Sequence, residues 1–274
     1  DISSKSNIDY KTYEEQVNTI KQYVHEGEIM QAVLSKEVTF EGLYDPMTLY
    51  RALRLINPSP YMFYLSFDDF NVIGASPEIL VQQTNGKVTI RPIAGTRKRG
   101  ETSNEDLTNK IDLLEDDKEK SEHMMLVDLA RNDLSKVAEI GTVQVDEMMV
   151  IEKYSHVMHM TSNVIGQKKS DASAVDCLKA ALPAGTLSGA PKIRAMEILS
   201  KLENRVRGIY GGAVGYIGFN GSLDTAIVIR TAIHTNKDVK VGVGGGIVFD
   251  STPENEWQET ESKLAVFREA LKYS

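Results

Sequence analysis

The sequence is poor in cysteine, in long apolar runs and in positive charge, and each shortage excludes a class of protein. Cys177 is the only cysteine of 274 residues, which excludes internal disulfides and cysteine-rich zinc sites and favours a reducing, cytoplasmic compartment. No apolar run approaches the roughly 20 residues that a membrane helix needs. The net charge of −8 argues against broad contact with nucleic acid or an acidic membrane, although a local basic pocket for a small anion stays open.

The first residues are polar and lack an initiator methionine. The opening Asp-Ile-Ser-Ser-Lys-Ser predicts no signal peptide there, and the missing methionine is expected of a processed or truncated chain. The rest of the composition, 41% hydrophobic and 26% charged, is that of a globular protein with a substantial core. We expect one domain over residues 1–274, with 1–26 as a helix and lead-in rather than a separate domain.

Hydrophobic spacing and turn signals predict an α+β fold. Helices are predicted over Tyr10–Glu26, Pro46–Ile56, Thr102–Lys136, Ala172–Leu182, Ala190–Leu202 and a C-terminal segment that begins at Pro253. Strands are predicted over Ala32–Phe40, Tyr61–Phe67, Asn71–Gly74, Ile79–Gln83, Lys87–Arg91, Tyr210–Phe219, Leu223–Thr235 and Val239–Asp250. Asn85-Gly86 and Asn220-Gly221 are hairpin signals, so the sheets should be antiparallel rather than parallel and doubly wound.

Two pairs of glutamates are spaced to share a helix face. Glu119 and Glu122 are three residues apart in one predicted helix, and Glu256 and Glu259 have the same spacing at the start of the last one. Two such pairs could converge on one divalent cation, because Mg²⁺ takes carboxylate oxygens and leaves other positions to water and substrate. An acidic helix face is more often simply solvated, and the spacing alone leaves both interpretations open. The nearby Asp112, Glu115, Asp116 and Asp117 are expected to be solvated surface charge.

The last predicted helix divides its residues between two faces. One apolar stripe is expected to face the core and consists of Trp257, Leu264, Phe267 and Leu271. Lys263 falls on another stripe with Glu256 and Glu259. Near a helix N-terminus, two acids and a base are suited to hold a metal and an anionic substrate.

Glycine and small residues mark two further segments. Gly242-Val243-Gly244-Gly245-Gly246 has the glycines of a dinucleotide loop, but such a loop precedes a helix, whereas Ile247-Val248-Phe249 continues as a strand. The open alternatives are backbone amides that approach a ligand, or a sheet packed tightly on a helix. The segment Ala184–Lys192 precedes a predicted helix, so it either receives a carboxylate or is a plain capped loop.

Arginine and histidine add candidates that the spacing alone does not assign. Arg230 lies in the apolar stretch Ala226–Ala232, where a buried guanidinium needs an anionic partner, either a substrate or an internal acid. His156 and His159 lie three residues apart in a methionine-rich stretch, where a structural role is the usual one.

Together, the ordered motifs resemble the chorismate-utilising enzymes, in their anthranilate synthase component I branch. The resemblance extends from about Gly27 to Phe267 and is carried by Gly27–Ile29, Gln31–Ser35, Pro58–Met62, Gly74–Glu78, Arg91–Arg97, Glu122–Asp133, Ser155–His159, the Thr186 segment, Tyr210–Tyr216, the triple glycine and Pro253–Thr260. Ala94 stands where aminodeoxychorismate synthases have a nucleophilic lysine. Gln31 stands where isochorismate and salicylate synthases have a lysine that activates water, and a neutral amide suits ammonia instead. Thr186 and Ser155–His159 are also similar to the anthranilate branch.

The resemblance implies a fold and an activity. The fold is two α/β subdomains whose large antiparallel sheets form a sandwich, with helices outside and the active site in the cleft between them. The activity is Mg²⁺-dependent conversion of chorismate and ammonia to anthranilate and pyruvate in tryptophan biosynthesis, with ammonia supplied from glutamine by a partner glutaminase. The alternatives are a sibling that makes aminodeoxyisochorismate, aminodeoxychorismate or isochorismate, and an inactive metal-binding fragment.

The resemblance also implies roles for individual residues. Glu122 and Glu259 would bind Mg²⁺, with Glu119 and Glu256 holding metal-bound waters. The enolpyruvyl carboxylate would be held by Arg230, Tyr210 and the backbone of Gly244, Gly245 and Gly246. The pocket would be completed by Gly95, Thr96, Thr186 and Lys263. Glu78 would be the general acid for the departing hydroxyl, Gln31 would face the attacking ammonia, and His159 would assist the loss of pyruvate.

Pro60, Tyr61 and Met62 match part of the tryptophan-inhibition site of this family. The other part lies in an N-terminal domain, and this sequence begins too late to contain it. We therefore expect inhibition by tryptophan to be weak or lost, and tight binding in a calorimetric titration would contradict that expectation. The same segment contributes to the glutaminase interface in full-length relatives.

Overall fold

The computed structural model describes residues 2–154 and 157–274 and divides the chain into two compact units. Unit 1 comprises Asp1–Pro77, Thr186–Ala213 and Ile227–Ser274, and unit 2 comprises Glu78–Gly185 and Val214–Ala226. Ser155 and His156, which belong to one of the motifs above, lie outside the described residues. Within the described part of the chain, no helix is both long and apolar enough to cross a membrane.

Helices and strands alternate irregularly along the chain. The helices are α1 (Tyr10–His25), α2 (Pro46–Ile56), α3 (Ser103–Glu115), α4 (Asp117–Ser135), α5 (Ala174–Ala181), α6 (Gly185–Ser188), α7 (Lys192–Glu203) and α8 (Pro253–Leu271). The strands are β1 (Ser4–Ser6), β2 (Gln31–Glu41), β3 (Tyr61–Ser66), β4 (Asn71–Ser76), β5 (Ile79–Thr84), β6 (Lys87–Ile90), β7 (Ile93–Lys98), β8 (Gln144–Lys153), β9 (Val157–Gln167), β10 (Gly189–Ala190), β11 (Ala213–Ile217), β12 (Leu223–Ile227), β13 (Thr231–His234) and β14 (Asp238–Ile247). The mixture, with two large antiparallel sheets, confirms the predicted α+β class.

Unit 1 is built on a seven-stranded sheet in the order β1-β2-β14-β13-β4-β3, with β10 paired beside β2. β2 and β14 pair along ten positions, from Glu41 opposite Asp238 to Ala32 opposite Ile247. Leu34 and Phe40 are six residues apart on β2 and so point to the same face of the sheet. Leu34 packs with α1 and α7, and Phe40 packs with α2 and α8. This face is therefore the covered one, and Gln31, Ser35 and Glu37 point to the other.

The helices of unit 1 begin and end where local signals place them. Asp45 accepts the Thr48 N–H at 2.6 Å and is followed by Pro46 at the first position of α2. Thr252 and Pro253 open α8 in the same way. Of the predicted apolar stripe on α8, Leu264, Phe267 and Leu271 are buried, and Trp257 is partly buried against α1.

Unit 2 is built on the second seven-stranded sheet, in the order β11-β12-β5-β6-β9-β7, with β8 also paired to β9. The predicted hairpin between β5 and β6 is confirmed, since Asn85 and Gly86 have φ values of +52° and +84°, as a tight hairpin turn requires. The long predicted helix Thr102–Lys136 divides at Asp116 into α3 and α4. Asp116 ends α3 in an extended conformation, and its carboxylate caps α4 by accepting the N–H groups of Lys118 and Glu119.

The strand predicted over Val239–Asp250 ends at Ile247, so Val248 and Phe249 do not continue it. Three further predicted elements are wrong in their extent. The helix predicted over Ala190–Leu202 starts only at Lys192, because Ala190 pairs with β2 and Pro191 is the extended residue before the helix. The strand predicted over Tyr210–Phe219 is limited to Ala213–Ile217, since the preceding residues form turns. The strand predicted over Leu223–Thr235 is two strands, β12 and β13, because Arg230 between them has φ +48°, which an extended strand does not allow.

His123 connects α4 to β9 in the core of unit 2. The side chain is fully buried, and its Nε2 lies 2.6 Å from Ser162 Oγ, which also accepts the Met149 N–H at 2.9 Å. Burial lowers the pKa of His123 to about 4, because the charged imidazolium loses its hydration. The histidine is therefore neutral in the folded protein at neutral pH.

We predict that His123 makes the protein less stable in mild acid. Its folded pKa lies below the ordinary value of about 6.5, so the unfolded chain takes up the proton first as the pH falls. The contribution of the neutral side chain to the free energy of unfolding is complete above about pH 6.5. It should fall by about 2 kcal/mol when the pH is lowered to about 5. Urea unfolding at neutral pH and at about pH 5 measures this loss.

The matched comparison is His123→Gln against His25→Gln, because His25 is exposed at the end of α1. The acid-dependent loss should shrink in His123→Gln and persist in His25→Gln. An equal acid dependence in the wild type and both variants would assign the loss to other groups.

Candidate active site

The triple glycine of β14 lets three side chains reach the strand backbone. A Cβ at Gly244 would lie 2.8 Å from the Tyr210 hydroxyl oxygen, and one at Gly246 would lie 2.4 Å from Gln31 Nε2. A Cβ at Gly245 would lie 3.0 Å from an Oε atom of Glu256. Successive strand residues face opposite sides, so Tyr210 and Gln31 lie on one face of the sheet and Glu256 on the other. The interpretation of a sheet packed tightly on a helix is confirmed at Gly245, which packs against α8. The approach of the backbone amides to a ligand stays a prediction.

Lys263 ties α8 to the same strand. Its ammonium donates to the Gly244 carbonyl oxygen at 2.8 Å and to Glu259 at 2.7 Å. Lys263 and Glu259 are about 38% and 51% exposed, so both remain accessible to a small molecule. The polar stripe of α8 thus contacts the glycine strand through the Lys263 ammonium, which lies between the Gly244 carbonyl and the Glu259 carboxylate.

Tyr210 lies in the turn before β11, with its ring across Gly242. Burial raises the pKa of the Tyr210 phenol, and the nearby Arg207 charge opposes that shift. The hydroxyl therefore stays protonated at neutral pH and is a hydrogen-bond donor. A neutral donor at this position suits an anionic group on a ligand.

Arg230 and Thr186 occupy different settings from those predicted. Arg230 is half-buried in the break between β12 and β13, not in an apolar strand, and its carbonyl oxygen accepts the Ala75 N–H at 3.0 Å. Thr186 is half-buried in the single helical turn α6. That turn and β10 intervene between Thr186 and α7, so Thr186 is not at the N-terminus of the following long helix.

The segment predicted as part of an inhibitor site lies on the edge strand β3. Tyr61 pairs with Ser76 and Met62 with Ala75, while Pro60 is exposed just before the strand. All three residues belong to unit 1.

Gly95, Thr96 and His159 meet in unit 2. Thr96 lies opposite His159 across the pair of β7 and β9, and Thr96 Oγ1 is 3.0 Å from His159 Nδ1. The same nitrogen is 3.3 Å from the Gly95 carbonyl oxygen, and the Tyr154 ring packs edge-on at 5.6 Å. These contacts to Nδ1 and the Tyr154 ring fix the position of the imidazole beside Gly95 and Thr96. The family role of His159 fits this orientation.

Glu119 lies against Gly95 and pairs with Arg97. A Cβ at Gly95 would come within 3.0 Å of a Glu119 oxygen, and Gly95 has φ +67°. Arg97 donates to Glu119 at 3.2 Å and also bonds to Asp112 at 2.6 Å and Asp116 at 2.8 Å. Asp112 is 62% exposed, as expected of surface charge, although it also pairs with Arg97. The prediction is wrong for Asp116, which is partly buried, holds Arg97 and caps α4.

Glu122 and Glu78 are the remaining candidates in unit 2. Glu122 is half-buried on α4, one turn after Glu119. Glu78 is only 8% exposed and directly precedes β5. A carboxyl group this buried fits the general-acid role, which depends on a protected environment.

The four predicted metal ligands occur as two pairs of helix carboxylates. Within residues 2–154 and 157–274, no three His, Cys, Asp or Glu side chains form a group that could hold a metal ion. The donor chemistry nevertheless suits magnesium, since all four groups are hard oxygen ligands. Two of them, Glu119 and Glu256, occupy spaces beside Gly95 and Gly245 that a Cβ would fill. The residues fit the ion, and magnesium stays a prediction.

The sequence patterns do not reveal several buried charges around these residues. Lys36 is fully buried, with its ammonium 3.1 Å from the centroid of the Trp257 ring and 2.7 Å from Glu261. Arg207, which is partly buried, and the buried Glu203 form a second pair near the Tyr210 ring. Hydrophobic spacing in a sequence does not indicate whether an isolated charged residue will be buried. Arg97 differs only in that it lies inside one of the motifs that carry the resemblance.

Comparison with known proteins adds a family to this geometry. The family of chorismate binding enzymes matches residues 1–269. The chain is 56% identical over 257 residues to anthranilate synthase component 1 of Pseudomonas aeruginosa, covering 93% of this chain and 52% of that protein. It is 52% identical over 267 residues to anthranilate synthase component 1 of Aquifex aeolicus, covering 97% of this chain and 54% of that protein.

A solved structure shows the same fold. The crystal structure of anthranilate synthase component I from Streptococcus pneumoniae matches with a TM-score of 0.91 and 44% identity, over 97% of this chain and 60% of that one. The chain spans about half the length of the curated relatives it matches. The match over nearly all of the chain, together with the glycine strand and the glutamate pairs, shows that this chain belongs to the chorismate binding enzyme family.

Proposed function

We propose that this chain is the catalytic part of an anthranilate synthase, converting chorismate and ammonia to anthranilate, pyruvate and water. The observation that carries the proposal is 56% identity to anthranilate synthase component 1 over 93% of the chain. Gln31 and Ala94, which stand where sibling enzymes have lysines, favour this reaction over the formation of isochorismate or aminodeoxychorismate.

The residues of unit 1 would bind the substrate. Tyr210, kept neutral by burial, would donate to the enolpyruvyl carboxylate together with Arg230 and the amides of Gly244–Gly246. Lys263, fixed between Gly244 and Glu259, would add positive charge beside the same strand. Gln31 is 3% exposed and cannot deprotonate water, so it would favour ammonia as the nucleophile.

The residues of unit 2 would handle protons. Ammonia nitrogen bonds to C2 as the C4–O bond breaks, and Glu78 would deliver the proton with which the hydroxyl leaves as water. His159, held beside Thr96 and Gly95 through Nδ1, would take the C2 proton. Loss of that proton makes the ring aromatic and expels the enolpyruvyl group, which takes up a proton to become pyruvate.

The glutamate pairs would hold a magnesium ion. Glu122 and Glu259 would bind it directly, with Glu119 and Glu256 holding its waters, and the ion would supply positive charge for the ring carboxylate of chorismate. We further propose that ammonia comes from a partner glutaminase, since the relatives are named as component 1 of a synthase. The reaction would serve tryptophan biosynthesis in the cytoplasm.

The test is a fluorescence assay for anthranilate with the purified chain, chorismate, magnesium and a high concentration of ammonium. Anthranilate that disappears when EDTA is added supports the proposal and the use of a metal together. A folded, monodisperse chain that forms isochorismate or no product would contradict it.

We predict that Glu259→Gln lowers turnover at least about 100-fold, because a neutral amide binds magnesium far more weakly than a carboxylate. The control is Glu254→Gln, an exposed glutamate in the first turn of the same helix, which should keep wild-type turnover. Equal activity of the two variants would remove Glu259 from the metal site.

Gly246→Ala should separate activity from stability. The new methyl would lie 2.4 Å from Gln31 Nε2, and the flexible amide can swing away at little cost. We expect turnover to fall about 10- to 100-fold, because small displacements of positioning groups cost this much, while the melting temperature changes little. The control Gly221→Ala, at φ +80° with no atom within 4 Å, should lower stability and keep turnover. Full turnover in Gly246→Ala would show that Gln31 need not be held here.

A further inference from the structure

Arg207 makes an unusual number of bonds for a side chain outside the predicted site. Its Nη1 donates to the Leu187 carbonyl oxygen at 2.6 Å, and its Nη2 donates to the Val33 carbonyl oxygen at 2.7 Å. The guanidinium also binds both carboxylate oxygens of Glu203, at 2.8 Å and 2.5 Å. Its centre lies 5.9 Å from the centroid of the Tyr210 ring. One planar group therefore connects β2, α6, the end of α7 and the turn before β11.

Each of these attachments lies next to a residue of the proposed reaction. Val33 is two residues from Gln31 on the same strand, so both point to the same face of the sheet. Leu187 directly follows Thr186, and Tyr210 is three residues after Arg207. Gln31, Thr186 and Tyr210 come from separate stretches of the chain. The pairing of β10 with β2 joins the first two stretches, and the Arg207 side chain contacts all three, at the Val33 carbonyl, the Leu187 carbonyl and the Tyr210 ring.

Glu203 fixes the orientation of this guanidinium. Its side chain is 3% exposed and also accepts the Ser35 N–H at 2.8 Å and the Ser35 hydroxyl at 2.9 Å. A carboxylate that is buried and fully bonded holds an arginine in one plane more firmly than an exposed ion pair does. Because Ser35 is opposite Gly244 in the β2–β14 pair, the same network also reaches the glycine strand.

We propose that Arg207 is a positioning residue that sets the mutual placement of Gln31, Thr186 and Tyr210. The inference rests on the proposed function, which gives those three residues their roles. Arg207 itself acts through its neighbours: it orders two carbonyl groups and one ring, and it needs no contact with the substrate.

Lysine cannot replace this arrangement. Arginine presents five N–H donors in a rigid fork, and Arg207 directs them to two carbonyls and both oxygens of one carboxylate. A lysine ammonium has three donors at a single point, so it preserves the charge beside Glu203 and loses the simultaneous hold on Val33 and Leu187. Arg207→Lys is therefore the informative variant, whereas alanine would leave Glu203 as a buried unpaired charge.

The matched control is Arg194→Lys. Arg194 donates to Glu28 at 2.8 Å and Glu197 at 2.8 Å, and it stacks 5.6 Å from the Tyr23 ring, so its contacts are of the same kind. Unlike Arg207, Arg194 is more exposed and bonds no backbone carbonyl of the described residues, and none of its partners is a proposed site residue. Both variants are assayed for anthranilate well below their melting temperatures, and rates are divided by the folded fraction from circular dichroism.

We expect kcat/KM of Arg207→Lys to fall about 10- to 100-fold, the usual effect of losing a supporting interaction. KM for chorismate should rise because Tyr210 shifts, and kcat should fall because Gln31 and Thr186 shift. Arg194→Lys should stay within about 2-fold of the wild type. Glu203→Gln should change the same constants in the same direction, and combining it with Arg207→Lys should add little, since both act through one network.

Two results would overturn the inference. If Arg207→Lys keeps the wild-type kcat and KM and loses only stability, Arg207 stabilises the fold without positioning the site, and the proposed function is unaffected. If the wild-type chain makes no anthranilate, the proposed function fails, and calorimetric binding of chorismate then decides: equal affinities of the wild type and Arg207→Lys, or no binding by the wild type, would overturn the inference as well.

Discussion

The lack of Cβ atoms at three consecutive positions of β14 is the constraint on which the candidate site in unit 1 depends. Side chains from β2, from the turn before β11 and from α8 each occupy space that an alanine would fill at Gly246, Gly244 or Gly245. The cost is a stretch of three residues without side-chain packing of its own. The long pairing with β2 offsets that cost, because the ladder holds the glycine backbone in place together with the bond from Lys263 to the Gly244 carbonyl.

The elements that the sequence predicts best are those with local signals. α2 has an aspartate cap followed by proline, and the β5–β6 hairpin has Asn85-Gly86, so neither depends on distant contacts. The pattern does not predict β8 and β9, although they are long. β8 has two register shifts against β9, and Met149 has φ +51°, so the period of two that marks a strand is broken. The strand break at Arg230 is not predicted either, because its φ of +48° and the bond that its carbonyl accepts from Ala75 leave no mark on the hydrophobic pattern.

Some residues of the candidate site are predictable from their spacing in the sequence, and others are predictable only from the family resemblance. Helical spacing places Glu119 with Glu122 and Glu256 with Glu259 on helix faces, and the structure has both pairs on α4 and α8. Spacing gives no reason to join Thr96 to His159, because the pairing of β7 with β9 brings them together from 63 residues apart. Isolated arginines such as Arg97 and Arg207 have no periodic pattern at all, and only the folded chain shows which carboxylates they bind.

Trp257 has an optical consequence. It is the only tryptophan of the chain, and it lies between the two candidate metal-binding glutamates of α8 in sequence. Its indole is enclosed by the Lys36 ammonium at 3.1 Å and by the edges of Tyr10 and Tyr13 at 5.6 Å and 5.2 Å. A fixed positive charge over an indole shifts the wavelength of its fluorescence emission. A change in charge at the start of α8 would therefore shift the emission wavelength of Trp257. The protein therefore carries its one intrinsic tryptophan fluorophore in unit 1, beside Glu256, and unit 2 contributes no tryptophan emission.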